Sequence, residues 1–260
     1  MCAPSTRMAI SQLDCKYIVG LTATPSRADR VPCEYWCGPR ADIQVTVSSG
    51  GSGPRRSIQS LMGLSGAQVH IERVPLTVHQ INTGIGNGVD VTTRDGTVML
   101  PRMVSYLALS RQRFALVRAL LEDWSQRHHV IALSDRKQIL EHLAECLGDR
   151  AALCTGDQTA DEQRAAITRK PRVLLATGGV AREGLDAPYL SCVLLLTPNV
   201  RIEQSVGRVQ RQYPGKKEAV VLDLVDNYPT LGHWARARKK RYEALGASVH
   251  FHMQPPTPPK

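Results

Sequence analysis

The second half of the chain is marked by short apolar runs at regular intervals. Val130-Ile131-Ala132-Leu133, Val173-Leu174-Leu175-Ala176, Val193-Leu194-Leu195-Leu196 and Ala219-Val220-Val221-Leu222 each lack polar alternation. That is the pattern of strands buried on both faces. It predicts strands over 129–133, 151–154, 172–176, 192–196 and 219–225. The segments between them carry helical spacing. Phe114, Val117, Leu120, Leu121 and Trp124 fall on one helix face, as do Ile139, Leu140, Leu143 and Leu147, which Gly148 closes. Ser134-Asp135 reads as a helix cap. Further helices are predicted over 159–169, 179–182, 202–210 and 230–245. Strands alternating with helices in this way call for an α/β fold, a parallel sheet with helices on both faces.

The first half is less regular. Tyr17 to Leu21 is a short strand candidate that runs into Thr22-Ala23-Thr24-Pro25, and 41–47 is another. Ser48-Ser49-Gly50-Gly51-Ser52-Gly53-Pro54 reads as a flexible linker. Residues 68–78 look extended, and the four glycines between Thr83 and Gly96 suggest turns and a hairpin. The expected organisation is a partial unit over 1–57, a connecting extended or hairpin segment over 58–103, the regular α/β lobe over 104–248, and a disordered Pro-rich tail over 249–260.

Composition narrows the function classes. The 260 residues hold 33 Lys+Arg against 23 Asp+Glu, a formal net charge of +10, which favours a polyanionic partner. No run of about 18 apolar residues is present to span a membrane. The N-terminal stretch lacks the basic and apolar regions of a secretory signal. Seven Cys without regular spacing point to reduced thiols and an intracellular setting, with cytoplasm and nucleus equally open. Cys33 and Cys37 lack a paired C-x-x-C or a neighbouring His, so free thiols are expected there and no metal site is assigned. With 2 Phe, 3 Trp and 7 Tyr, rows of base-stacking rings are not expected; Trp124, Trp234 and Tyr242 read as packing residues.

Candidate chemistry sits at the strand ends, where open parallel sheets bind ligands. After the run ending at Ala176 comes Thr177-Gly178-Gly179-Val180-Ala181-Arg182-Glu183-Gly184-Leu185-Asp186. After Leu196 come Thr197-Pro198-Asn199 and then Gln204-Ser205-Val206-Gly207-Arg208-Val209-Gln210-Arg211. Gln204, Arg208 and Arg211 are four and three residues apart and share one helix face. Two guanidinium forks on one face suit a triphosphate; a solvated basic helix is the alternative. Ten Lys+Arg against four Asp+Glu between 201 and 241 give a basic last helix with Arg236, Arg238, Lys239, Lys240 and Arg241.

Three ordered stretches, T-A-T-P at 22–25, A-R-E-G-L-D at 181–186 and Q-S-V-G-R-V-Q-R at 204–211, resemble motifs of the superfamily 2 (DEAD-like) helicases, and V-I-A-L-S-D-R at 130–136 resembles a fourth. The nearest branch is similar to DNA helicases of large DNA viruses and phages. The resemblance covers about residues 15–40 and 104–246, and it implies a RecA-like C-terminal lobe. It further implies that Arg208 and Arg211 contact the γ-phosphate, with Arg211 as arginine finger, and that Gln204 touches the nucleotide or positions the arginines. Gly184 and Asp186 would line the cleft between lobes, Ser134, Thr177 and Arg182 would bind strand backbone, and Thr22 and Thr24 would couple nucleotide state to the lobes. The implied cofactors are ATP and Mg²⁺, and the implied partner is nucleic acid, DNA in preference to RNA.

The phosphate-cradling G-x-x-x-x-G-K-[ST] and the acidic strand end of that family are missing from this sequence. Gly215-Lys216-Lys217 lacks the upstream glycine, and Asp161-Glu162-Gln163-Arg164 reads as the start of a surface helix, where acids suit the dipole. The expectation is an N-terminally truncated helicase that does not hydrolyse ATP alone and needs a chain carrying the missing first lobe. The alternative is a non-catalytic nucleic-acid-binding or regulatory fragment.

Overall fold

A computed structural model of the chain describes residues 67–83, 91–182, 185–198, 209, 213–244 and 246–252. All of them belong to a unit that runs from Gln59 to Lys260. The expectations for 1–57, for the glycines at 84, 86 and 88 and for 253–260 lie outside the described residues.

The elements begin with β1 (Gln68–Arg73), α1 (Val78–Thr83), α2 (Leu100–Leu109) and α3 (Arg111–Arg127). Then come β2 (Val130–Ser134), α4 (Lys137–Leu147), β3 (Ala151–Cys154) and α5 (Ala160–Thr168). β4 (Val173–Thr177) leads directly into the short α6 (Gly178–Arg182). β5 (Cys192–Leu195), β6 (Val220–Val225), α7 (Pro229–Ala244) and β7 (Ser248–His252) complete the described part.

All seven strands join one parallel sheet in the order β3-β4-β2-β5-β6-β1-β7. Side chains alternate across it, so it feeds two cores. Val130, Ala132, Val173, Leu175, Leu194, Leu222 and Leu224 face α2, α3 and α4 in one core. Ile131, Leu133, Leu174, Ala176, Val193, Leu195 and Val221 face Ala166 of α5, Ala181 of α6 and Tyr242 of α7 in the other. Burying each large aliphatic side chain is worth about 1.5–3 kcal/mol, which is why the central strands carry no polar alternation. The chain leaves β2 for the first layer and its neighbour β4 for the second, the outcome of right-handed crossovers in opposite directions. The crevice where ligands bind in such sheets therefore opens at the carboxyl ends of β4, β2 and β5.

Three expectations are corrected. Residues 68–78 are extended only to Arg73; Thr77 caps α1, donating its N–H to Gln80 Oε1 at 2.9 Å and accepting from the Gln80 N–H at 3.2 Å. The segment 58–103 is no mere connection, because β1 lies between β6 and β7 in the lobe's own sheet. The region after 248 does not start as a disordered tail; Ser248–His252 is the edge strand, paired with β1. The hairpin expected before Gly96 survives in part, as an antiparallel bridge between Thr92 and Val98 with Gly96 at φ 82°. Helix α2, opened by Pro101 in its first turn, has no counterpart in the sequence reading.

Candidate functional site

The tips of β4, β2 and β5 form a row. Ser134 ends β2 and is the register partner of Thr177, which ends β4. Thr197, just beyond β5, completes the row: its Oγ1 lies 3.1 Å from Ser134 Oγ and accepts the Asp135 N–H at 2.8 Å. Ser134 is 2% exposed. Its hydroxyl accepts the Arg136 N–H at 2.9 Å and donates to the Arg136 carbonyl at 3.0 Å. Ser134 therefore ties the turn after β2 rather than capping a helix, and α4 starts at Lys137 without a side-chain cap. Arg136 turns away from the tips, donating Nε to Ser105 Oγ at 3.0 Å and Nη2 to the Pro101 carbonyl at 3.2 Å. Thr177 and Thr197 are half-buried, Asp135 is exposed, and so is Asp186. The sequence reading assigns Thr197 no role; its place just past an apolar strand is the only signal for it.

Gly178 leaves room for the Asp135 side chain. A Cβ on Gly178 would lie 2.7 Å from Asp135 Oδ1, closer than real Cβ contacts come. Thr22, Thr24, Cys33, Cys37, Gly184, Gln204, Arg208 and Arg211 lie outside the described residues, as does the Arg182 side chain. Val209, between Arg208 and Gln210, is fully buried in the second core.

Two buried ion pairs hold the edge in place. Arg113 of α3 donates Nε to Asp226 Oδ1 at 2.8 Å and Nη2 to the Leu196 carbonyl at 2.5 Å, fastening α3 to the ends of β5 and β6. Asp223, inside β6, accepts both Nε and Nη2 of Arg238 at 2.8 Å and the Tyr242 hydroxyl at 3.0 Å. Burial, reinforced by the Asp223 carboxylate, raises the Tyr242 phenol well above its ordinary range. Burial disfavours the Arg238 charge, yet the Asp223 carboxylate outweighs it and raises its pKa. Arg238, 2% exposed, thus drops out of the basic surface expected on the last helix.

Other readings resolve simply. Thr159 caps α5 in a reciprocal box with Glu162, as expected for Asp161-Glu162-Gln163-Arg164. Gly215 sits at φ 72° in a turn, and Lys216 Nζ donates to the Pro188 carbonyl at 2.9 Å. His128 and His129 bond Ser191 Oγ at 3.0 Å and the Pro171 carbonyl at 2.8 Å, bracing the loops around β2. Tyr242 is buried, and Trp124 and Trp234 pack against the first core, so all three serve packing.

A second polar cluster, absent from the sequence reading, joins β1 to β7. His70 Nδ1 lies 2.9 Å from His252 Nε2, and the His70 ring stacks on His250 at 5.2 Å and meets Trp124 at 4.9 Å. His252 Nε2 lies 3.9 Å from the buried Glu72 carboxylate. Burial, followed by the positive fields of His252, His250, Arg127 and His128, pulls His70 down to about 4. Adjoining cavities of about 320 and 330 Å³ open beside Trp124 and Arg127. Among the described residues no group of three or more His, Cys, Asp or Glu is spaced to hold a metal ion, and no helix is long and apolar enough to cross a membrane.

No family model matches the sequence. A protein of Acanthamoeba polyphaga mimivirus, named "Putative ATP-dependent RNA helicase", is 26% identical over 133 residues, covering 48% of this chain and 25% of that protein. An Escherichia phage T5 protein named "Probable helicase" is 32% identical over 108 residues, covering 38% of this chain and 24% of that protein. The chain spans about a quarter of the length of these curated relatives. Among solved structures, T4 UvsW matches with a TM-score of 0.55 at 15% identity, over 72% of this chain and 42% of that one. That likeness is one of fold. Taken with the sheet order, it shows that the described lobe has a RecA-like fold matching helicase C-terminal lobes, and the viral and phage relatives are themselves named as helicases.

Proposed function

We propose that the chain is the closing lobe of an ATP-driven translocase that grips one nucleic-acid strand. The observation that carries this reading is the row Thr177, Ser134, Thr197 at the carboxyl ends of three adjacent strands, where the sheet changes direction. Thr177 offers its hydroxyl to a phosphate oxygen, and Ser134 with Thr197, whose hydroxyls are spent on each other and on the turn after β2, braces the tips beside it. Arg182, one short helix after Thr177, adds a guanidinium for the same backbone. Contacts of this kind grip any sequence and weaken with salt.

In the same reading Gly184 and Asp186 line the nucleotide side of the lobe. Gln204 and Arg208 reach the nucleotide, and Arg211 is the finger that offsets charge on the transferring phosphoryl group. ATP with Mg²⁺, when bound, supplies the energy of movement. The sequence carries neither G-x-x-x-x-G-K-[ST] nor an acidic strand end, and in this reading a first lobe supplies the phosphate cradle and the Mg²⁺ ligands, with Thr22 and Thr24 relaying between the two.

The test is fluorescence anisotropy of the full chain with labelled single-stranded oligonucleotides across a salt series. Salt-sensitive, sequence-independent binding is expected, weakened about five- to tenfold by Thr177→Ala, the loss of about one hydrogen bond. Absence of binding at low salt overturns the reading. In malachite-green assays the chain alone releases no phosphate; robust Mg²⁺-dependent turnover by it alone contradicts the assigned division of labour.

A further inference from the structure

We infer that the strand-gripping edge reads ribose, with the Asp135 carboxylate accepting a 2′-hydroxyl, so that the chain prefers RNA to DNA. The inference rests on the nucleic-acid reading above and deepens it by naming the strand. Asp135 sits in the middle of the hydroxyl row. Its N–H is held by Thr197 Oγ1 at 2.8 Å on one side. On the other side its Oδ1 lies 2.7 Å from where a Gly178 Cβ would be, so the carboxylate rests against the backbone that follows Thr177. The residue is exposed, and among the described residues its carboxylate makes no hydrogen bond or ion pair.

A free carboxylate in a phosphate track needs a chemical reason. Ionised carboxylates only accept hydrogen bonds, and so do phosphodiesters. The two repel, so Asp135 cannot serve the phosphate that Thr177 would bind. The sugar between two phosphates is the remaining neighbour. Ribose presents a 2′-hydroxyl that donates, and deoxyribose presents none, which is the difference by which proteins tell the two apart. In this place the carboxylate turns one backbone contact into a test for ribose. Against DNA it leaves only the repulsion. Gly178 leaves the space that the carboxylate occupies, since a Cβ there would displace it.

The test compares matched unstructured RNA, DNA and 2′-O-methyl RNA oligonucleotides bound to the full chain by anisotropy at fixed salt. RNA is expected to bind about fivefold or more tightly than DNA, a conservative fraction of a charge-assisted hydrogen bond. The 2′-O-methyl strand, which keeps the oxygen but cannot donate, should bind like DNA. Asp135→Ala should erase the difference, chiefly by strengthening DNA binding, and Asp135→Asn, whose amide oxygen still accepts, should reduce it only in part, while the melting temperature stays unchanged because the residue is exposed. Equal binding of RNA and DNA, or an RNA preference that survives Asp135→Ala, overturns the inference and leaves the strand-gripping reading intact. Failure to bind any of the three strands overturns both.

Discussion

Asp223 and Arg238 are joined by two hydrogen bonds of 2.8 Å in the middle of the sheet's second face, both side chains almost wholly removed from water. The carboxylate sits at a position of β6 that should be apolar, between Leu222 and Leu224, and the guanidinium arrives from α7. Removing one partner leaves the other buried and uncompensated. Arg238→Ala should therefore lower stability by about 3–5 kcal/mol, whereas the double change Asp223→Leu with Arg238→Met should cost far less. Urea denaturation of the three chains checks this; equal losses for the single and double variants refute it.

Thr159→Ala should destabilise α5 by about 1 kcal/mol, because the box between Thr159 and Glu162 satisfies two backbone donors at the helix start. Thr159→Ser should restore nearly all of it. Hydrogen bonds from the Thr159 backbone and side chain hold the Glu162 carboxyl below its ordinary range, so the contribution is present above the unfolded pKa and fades as pH falls. Helix-resolved hydrogen exchange is the measurement.

The β1–β7 edge should be sensitive to acid. His70 has a folded pKa of about 4 against an ordinary 6.5, so the unfolded chain takes up its proton first. Its contribution is complete above about pH 6.5 and is lost as pH falls toward 4. Glu72, raised by burial, works in the opposite sense and loses its contribution as pH rises. In thermal melts from pH 7 to 4.5, His70→Asn should flatten the acid limb. An unchanged slope in that variant counts against the assignment.

Gly178→Ala should leave stability within about 0.5 kcal/mol, because the obstructing atom is the end of an exposed side chain that can swing away. It should nevertheless disturb strand binding by displacing Asp135. Combining it with Asp135→Ala should add nothing further, since the clash is already gone. Additive effects on affinity would show that the two residues act separately.

The buried face and the end of helix α4 were legible, since Ile139, Leu140, Leu143 and Leu147 are all buried and Gly148 follows with φ 56°, but its start was not, because Ser134-Asp135 ties a turn and the helix opens at Lys137. So were the four central strands, to within a residue at each end. Helix α1 was missed although Thr77-Val78-His79-Gln80 spells a capping box, because apolar alternation through Val78 imitates a strand. Strand β7 was missed because its exposed edge, with Phe251 55% exposed, carries three polar residues and no buried run.

Apolar periodicity and cap residues act between chain neighbours, so the number, type and order of the central elements follow from local arithmetic alone. Pairings across long chain separations do not. That Gln68–Arg73 inserts between β6 and β7, that Arg238 answers a buried Asp223, and that Thr197 meets Ser134 from another strand all depend on which segments the folded sheet brings together. These contacts unite residues up to 182 positions apart, as in His70 with His252, and no local pattern encodes the partner of a polar group whose neighbour exists only after folding.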